Sequence, residues 1–432
     1  MNARRSFFQY VIPSMLAFAL SGVYAIADGF FVGNALGDNA LAAINVAYPL
    51  TAFLQAVGTG IGMGGAIEYS IQIGKGNHQE ARKYYGMALI LLGIASVLLT
   101  LLYLTGASYV LGLFGATGDI FTLGKEYLLY ISFGAVFQIV GTGLVPLIRN
   151  MGGAVIAMAA MITGFLTNIL LDYLFVWVFP WGMMGAAVAT AIGQAMTFLV
   201  CVGFFVFKRQ KPSLHFEKKA LTYTRRIIGV GLSPFGLTFS PNITLILINK
   251  SAALVGGSLA VTCYAPISYI CSIIILLMQG VSDGSQPLIS LTYGEGKISL
   301  TRTYRNMAYQ FSLIVAALCM AALFFLRGYT AVLFGASENI SQQVGQILPI
   351  FLCGFLFISI SRVSTAYFYA TRKNIWAYIL IYGEPVSLLL LLLFMPSLTG
   401  GISGTWISVP LSQFTAAVIS VILILRDRNS DF

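Results

Sequence analysis

Charged side chains are scarce in this sequence. Only 9% of its 432 residues are Asp, Glu, Lys or Arg, whereas a soluble globular protein carries about 25%. Hydrophobic residues make up 58%, and apolar runs of about 20 residues, the length that crosses a ~30 Å hydrocarbon core, recur along the whole chain. The composition excludes a soluble protein and predicts an all-α membrane protein embedded in a lipid bilayer.

Cysteine pairs and catalytic motifs are missing as well. The five cysteines all lie within apolar runs and none forms a Cys-x-x-Cys pair, so neither disulfides nor a zinc site is expected. The chain has no P-loop, HExxH, GxSxG or kinase signature, which excludes an ATP-driven pump. A membrane-embedded transferase would need a His/Asp or acidic motif at the membrane face, and none is present. We predict a protein that is not an enzyme and that uses no cofactor.

The apolar runs define twelve predicted transmembrane helices. We place them near residues 7–34, 46–73, 84–108, 123–146, 153–179, 184–207, 227–250, 259–293, 304–326, 344–369, 376–396 and 402–425. The first run is too long for the hydrophobic region of a signal peptide and is interpreted as the first span. We expect two six-helix bundles, residues 1–207 and 227–432, joined by a cytoplasmic linker over 208–226.

The basic residues indicate the orientation of these spans. The net charge is +10, but Lys and Arg occupy short loops rather than one face, so a membrane is favoured over nucleic acid. With the N-terminus inside, 20 of the 24 basic residues fall on the cytoplasmic side and only Lys125, Lys250 and Arg327 fall outside. This asymmetry predicts two cytoplasmic termini in a multi-pass protein of a bacterial or archaeal inner membrane.

The two halves of the sequence resemble each other. Gly60, Gly76 and the segment 113–116 recur in the second half as Gly280, Gly296 and 333–336, and the spacing between matching positions stays almost constant over a whole half. Such agreement indicates an internal duplication. Each half has an even number of spans, so we predict parallel, pseudo-symmetric repeats related by an axis along the membrane normal, with a cavity between the bundles.

Acidic residues at membrane depth are the first candidates for function, because a buried charge costs at least ~2.5–3.5 kcal/mol. Asp28 and Asp172 each lie eight residues from the predicted outer end of a span, and Thr190 lies at the same depth, ~12 Å inside. Asn168 is one turn from Asp172, and Tyr24 is one turn from Asp28. Two neighbouring carboxylates in a low dielectric cannot both remain ionised cheaply, so this set is suited to binding a proton or a hard cation such as Na⁺.

The second half does not keep these acids. The positions that match Asp28, Asn168 and Asp172 are Asn249, Ser387 and Leu391, so we expect coupling to an ion in the N-terminal half. Glu68 and Asp283 lie nearer the cytoplasmic ends of their spans, where snorkelling or water should relieve them. The remaining candidates, for lining a substrate cavity, are Tyr24, Gln55, Met161, Gln279, Arg362 and Glu384. For Arg362 and Glu384 we favour a structural ion pair over substrate contact.

Several segments together resemble the multidrug and toxic compound extrusion (MATE) family, within the flippase-like exporter superfamily. They are Ala-Asp-Gly-Phe-Phe-Val-Gly at 27–33, Asn-Ile-Leu-Leu-Asp-Tyr-Leu-Phe at 168–175, Gly-Ala-Ala-Val-Ala-Thr at 185–190, and Gln-Pro-Leu-Ile with Tyr-Gly within 286–294. The resemblance covers nearly the whole chain. It implies two bundles forming a V and places the cation site at Asp28, Asn168, Asp172 and Thr190, next to Tyr24.

The resemblance also implies a function. We expect a monomeric secondary antiporter that exports amphiphilic, cationic or aromatic compounds in exchange for H⁺ or Na⁺ by alternating access. The alternative is a flippase for lipid-linked precursors from the same superfamily. Such a flippase would have extra spans and a basic central cavity, whereas Arg362 is the only buried base expected here.

Overall fold

The computed structural model describes residues 3–113, 116–209, 211–215, 219–331 and 337–429. Parts of the predicted linker (residues 210 and 216–218) and of the repeated segments 113–116 and 333–336 lie outside these ranges. Throughout the described ranges the secondary structure is helical, without strands. The prediction of an all-α protein is therefore confirmed.

The first six helices follow the six predicted spans of the N-terminal half. They are α1 (Ala3–Leu36), α2 (Asp38–Gly74), α3 (His78–Leu113), α4 (Gly118–Asn150), α5 (Ala154–Asp172) and α6 (Gly182–Phe207). Several begin or end one or two turns beyond the predicted span, because a helix continues past the apolar stretch that hydropathy detects. The last turns of α5 change to a π-helix over Tyr173–Val178.

The next helical stretch, Ala220–Gly294, contains two spans. Its 75 residues would extend ~110 Å as one straight helix, several times the hydrocarbon thickness. The backbone leaves the helical region at Gly257, with φ 66° and ψ −161°. We therefore number its two arms α7 (220–256) and α8 (258–294).

Four more spans complete the described chain. They are α9 (Ile298–Leu326), α10 (Glu338–Leu352 and Gly354–Ala370), α11 (Asn374–Thr399) and α12 (Ile402–Asn429). The two segments of α10 meet at an angle of 41°. Ten helices are individually long and apolar enough to cross a bilayer. Counting α10 as one bent span and the Ala220–Gly294 stretch as two gives twelve spans in the described residues, as predicted.

The turn between α7 and α8 differs from the prediction. Hydropathy placed a loop over 251–258 between spans 7 and 8, but the chain reverses at Gly257 alone. Its combination of φ and ψ is accessible essentially only to glycine, so one residue suffices. Gly37, at the matching position of the first half, joins α1 to α2 in the same conformation, with φ 83° and ψ −175°. The shared backbone geometry supports the internal duplication.

The described chain divides into two compact units. The N-terminal unit comprises Leu20–Phe239 and Ser290–Lys297, and the C-terminal unit comprises the residues up to Ala19, Ser240–Ile289 and Ile298 onward. The division of the sequence at 208–226 stays a prediction. Within the C-terminal unit, the ring of Tyr264 stacks on Trp406 at 5.8 Å and lies 5.9 Å from Phe351, at the centre of an apolar core.

Small residues bring the helices of the N-terminal unit together. A Cβ atom at Gly62 of α2 would overlap the backbone of Gly143 in α4, and one at Gly134 of α4 would lie 2.6 Å from the Cβ of Ala191 in α6. Membrane helices pack closely in this way because lipid provides no hydrophobic force between them. The resulting scaffold of α2, α4 and α6 supports the polar residues described next.

Candidate functional site

The two aspartates singled out in the sequence meet inside the N-terminal unit. Asp28 lies on α1 and Asp172 is the last residue of α5 before the π-helix. Their carboxyl groups are close enough to share a hydrogen bond, and the Asp172 side chain is 0% exposed. The structure thus joins two acids that lie on the first and fifth helices of the chain.

Four buried acceptor oxygens belong to the two aspartates and to Asn168, which lies one turn from Asp172 on α5. They are Oδ1 of Asp28, Oδ1 of Asn168 and both carboxyl oxygens of Asp172, and none of them receives a hydrogen bond from a described protein donor. Buried polar atoms are normally satisfied. A carboxyl group can donate to another only when it carries a proton. The oxygens therefore fit a shared proton or a small hard cation.

Neutral polar groups complete the cluster. Asn168, 2% exposed, donates from Nδ2 to Oγ1 of Thr190 on α6 over 3.3 Å. Thr190 itself donates to the backbone oxygen of Ala186 at 3.1 Å. The phenol of Tyr24 approaches the same hydroxyl, and its ring stacks on Phe165 with 5.1 Å between centroids.

Tyr127 is a further member that the sequence analysis missed. It lies on α4, is buried, and interacts with Thr190 and with the charges of both aspartates. Its depth agrees with the site, because Tyr127 lies nine residues from the start of α4, ~14 Å along the helix, but depth alone does not single it out. A tyrosine in a membrane span is unremarkable by composition, whereas an aspartate is not.

The contact between α5 and α6 places Asn168 against Thr190. Gly164 and Gly193 face each other one turn away, and a Cβ atom on either would lie 2.8 Å from the carbonyl oxygen of the other. A second connection joins α5 to α1, where Nε1 of Trp177 in the π-helix donates to the Phe31 oxygen at 3.3 Å. Such π-helical turns occur frequently at functional sites.

The other candidates lie apart from this cluster. Gln55 on α2 is exposed, and Met161 packs against a hydrophobic core that includes Leu147 and Tyr84, about 16 Å along α5 from Asp172. In the C-terminal unit, Ser387 matches Asn168 by the repeat; it donates to the backbone oxygen of Glu384 at 2.8 Å and accepts from Thr415 at 3.4 Å. Gln55 and Met161 stay candidates for a substrate cavity.

Arg362 and Glu384 are near each other in the C-terminal unit. Their charges interact, but no ion pair within 4.0 Å connects them in the described part of the chain. The expectation that Arg362 is the only buried base is wrong, because Arg149 and Arg305 are also buried. Each of these lies near the end of a helix, where packing covers the side chain.

Two acids were expected to be relieved by snorkelling or water, and this expectation is also wrong. Glu68 and Asp283 are only 1% and 3% exposed. Asp283 accepts hydrogen bonds from Gln279 at 2.7 Å and from Tyr369 at 3.2 Å, so protein donors replace water. Gln279, a cavity candidate, is thereby assigned a contact within the C-terminal unit.

Twelve apolar helices, a duplicated chain and buried acids at membrane depth together define a multi-pass membrane transporter. The MatE family model matches the chain twice, over residues 13–174 and 232–392, about three quarters of its length. The two matches start at corresponding positions of the two halves, so the family model follows the internal repeat. The chain belongs to the MATE family, whose members are transporters and not enzymes.

Individual relatives cover nearly the whole chain. The multidrug export protein MepA of Staphylococcus aureus (strain MSSA476) is 23% identical over 430 residues, 98% of this chain and 94% of MepA. MepA of Staphylococcus saprophyticus is 24% identical over 429 residues, covering 97% and 93%. The likeness to bacterial multi-pass transporters extends along both halves.

Solved structures share the fold. A MOP superfamily transporter from Pyrococcus furiosus aligns with a TM-score of 0.92 at 23% identity, over 100% of this chain and 96% of that one. An outward-facing multidrug resistance MATE family transporter aligns with a TM-score of 0.91 at 22% identity, over 100% and 97%. These likenesses confirm the fold class predicted from the sequence.

Proposed function

We propose that this protein is a secondary antiporter that exports amphiphilic, cationic or aromatic compounds in exchange for H⁺ or Na⁺. One observation carries the proposal: the contact between the carboxyl groups of Asp28 and Asp172, three of whose four oxygens are buried without a protein donor. A permanently ionised pair at this depth would be strongly unfavourable. A site that must take up a cation to be satisfied is suited to ion coupling.

The geometry supports a mechanism for the coupling. A proton or Na⁺ neutralises one carboxylate and allows the acids on α1 and α5 to remain together. Release of the cation leaves two negative charges in contact, and their repulsion favours an arrangement in which these helices separate or admit water. The cation therefore shifts the population between two packings of α1, α5 and α6.

The substrate class is supported by the relatives and by the acids. Both MepA proteins are named as multidrug exporters. A cationic substrate and the coupling ion would compete for the same negative charge, which is a direct way to make their binding mutually exclusive. Such competition is a reciprocal coupling: each ligand lowers the affinity for the other by the same factor.

Counterflow in proteoliposomes tests the proposal. The purified protein is reconstituted, a fluorescent aromatic cation is loaded, and a pH gradient and a Na⁺ gradient are imposed separately. We expect one gradient to drive export of the cation and the other to have little effect, which identifies the coupling ion. Export that is indifferent to both gradients would contradict the proposal.

A further inference from the structure

An apolar groove opens on the N-terminal unit, away from the acidic cluster. It lies between the ends of α3, α4 and α6 and has a volume of about 490 Å³, within the ~300–1,000 Å³ range of small-molecule sites. Its walls are hydrophobic. The side chains that form them include Leu89, Val140, Leu144, Phe198, Val202 and Phe205.

Two basic residues close one end of this groove. Arg209 and Lys211 follow the last residue of α6 and complete the lining. Neither forms an ion pair with an acidic side chain in the described ranges. The charge asymmetry of the sequence predicts that this end faces the cytoplasm. The apolar groove thus lies within the bilayer, and the two positive charges at its end lie at the level of the lipid headgroups.

Backbone conformation and hydrogen bonding position both basic residues at this end of the groove. Arg209 has φ 49°, the left-handed conformation that usually selects glycine or asparagine at the end of a helix. Lys211 belongs to a strap, residues 211–215, whose Ser213 amide donates to the Arg82 oxygen of α3 at 3.1 Å. Gly86 permits this approach, since a Cβ atom there would overlap the Ser213 oxygen.

We propose that the groove binds an anionic phospholipid. One acyl chain occupies the hydrophobic groove, and the phosphate of the headgroup pairs with Arg209 and Lys211. Basic pockets between transmembrane helices at the cytoplasmic face are suited to anionic headgroups. The same two charges oppose a cationic drug, so the groove is not a second substrate site. A lipid with a neutral headgroup would gain the apolar contact but lose the charge pairing.

Native mass spectrometry of the full-length protein tests this assignment. The probe is phosphatidylglycerol, with phosphatidylcholine of the same acyl chains as the comparison. We expect the Arg209→Gln, Lys211→Gln double variant to bind phosphatidylglycerol about 30-fold more weakly, equivalent to about 2 kcal/mol at about 1.4 kcal/mol per tenfold change. The matched control, Lys75→Gln with Lys208→Gln, removes the same charge outside the groove and should bind normally.

Two further variants separate lipid binding from folding. Arg209→Gly relieves the left-handed backbone, so Tm in detergent should stay level or rise while phosphatidylglycerol binds about fivefold more weakly. Val202→Trp fills the groove and should displace the lipid, although the charges of Arg209 and Lys211 are retained. Equal loss in the groove and control doubles, or equal binding of phosphatidylcholine, would overturn the proposal and indicate only a general attraction of lipid to basic loops.

Discussion

Replacing Gly164 with alanine should test whether the contact between α5 and α6 positions the acidic cluster. The new Cβ atom would lie 2.8 Å from the Gly193 oxygen and would also overlap the Thr197 hydroxyl. Reaching an ordinary contact of 3.4 Å requires the two backbones to separate by about 0.6 Å, because the contact is already close-packed. The hydrogen bond from Asn168 to Thr190, already 3.3 Å long, would then stretch to about 3.9 Å and be lost.

The energetic effect follows from overpacking. Inserting a methyl group into a close-packed contact costs about 1–3 kcal/mol. At about 2–4 °C per kcal/mol for a unit of this size, Tm should fall by roughly 2–12 °C. The assay is a thermal-stability scan of the detergent-solubilised protein, together with gradient-driven export in proteoliposomes. Export should fall along with Tm, because Asn168 loses its partner.

Gly203→Ala is the matched control. Gly203 lies on α6, the helix against which Gly164 packs, and no atom lies within 4 Å of its hypothetical Cβ. Alanine there should be neutral or stabilising by up to about 1 kcal/mol, since it favours the helix. If Gly164→Ala had the same Tm and the same export as Gly203→Ala, the reasoning that close helix packing builds the site would be refuted.

Three other predictions concern the site and the topology. Asn168→Ala and Thr190→Ala should each reduce gradient-driven export less than loss of an aspartate, because each removes one neutral group; equal losses would show that the acids have no special role. Tyr127→Phe should reduce export several-fold without lowering expression, as it removes only the phenol near Thr190, and unchanged export would exclude Tyr127 from the site. Reporter fusions within 208–226 should locate that segment in the cytoplasm, and an external reporter would reverse the predicted orientation.

The sequence could predict the spans and the residues of the acidic cluster for one physical reason. Water and lipid differ so strongly as solvents that a charge at membrane depth is conspicuous, so Asp28 and Asp172 stood out without any structure. The shared depth of Asn168 and Thr190 then followed from helix geometry. The constant spacing between the two halves also showed that the second half lacks acids at the positions that match Asp28 and Asp172.

Other features depend on packing and could not be predicted in this way. The single-residue turn at Gly257 lies in a continuous apolar stretch, where hydropathy has no signal for a reversal. Tyr127 is a common residue type for a span, so only its contacts identify it. The burial of Glu68 and Asp283 depends on which neighbouring helices cover them, and position along a span does not reveal that.

Export by Asp172→Asn under an imposed ion gradient tests the central claim most directly. Asparagine matches the size and polarity of the acid but cannot cycle a charge, so we expect gradient-driven export to be abolished while Tm and part of the substrate binding are kept. We expect the same result for Asp28→Asn. The matched control is Asp119→Asn, because Asp119 is an exposed acid at the start of α4. This control should export normally. Full export by Asp172→Asn would contradict the proposed coupling site.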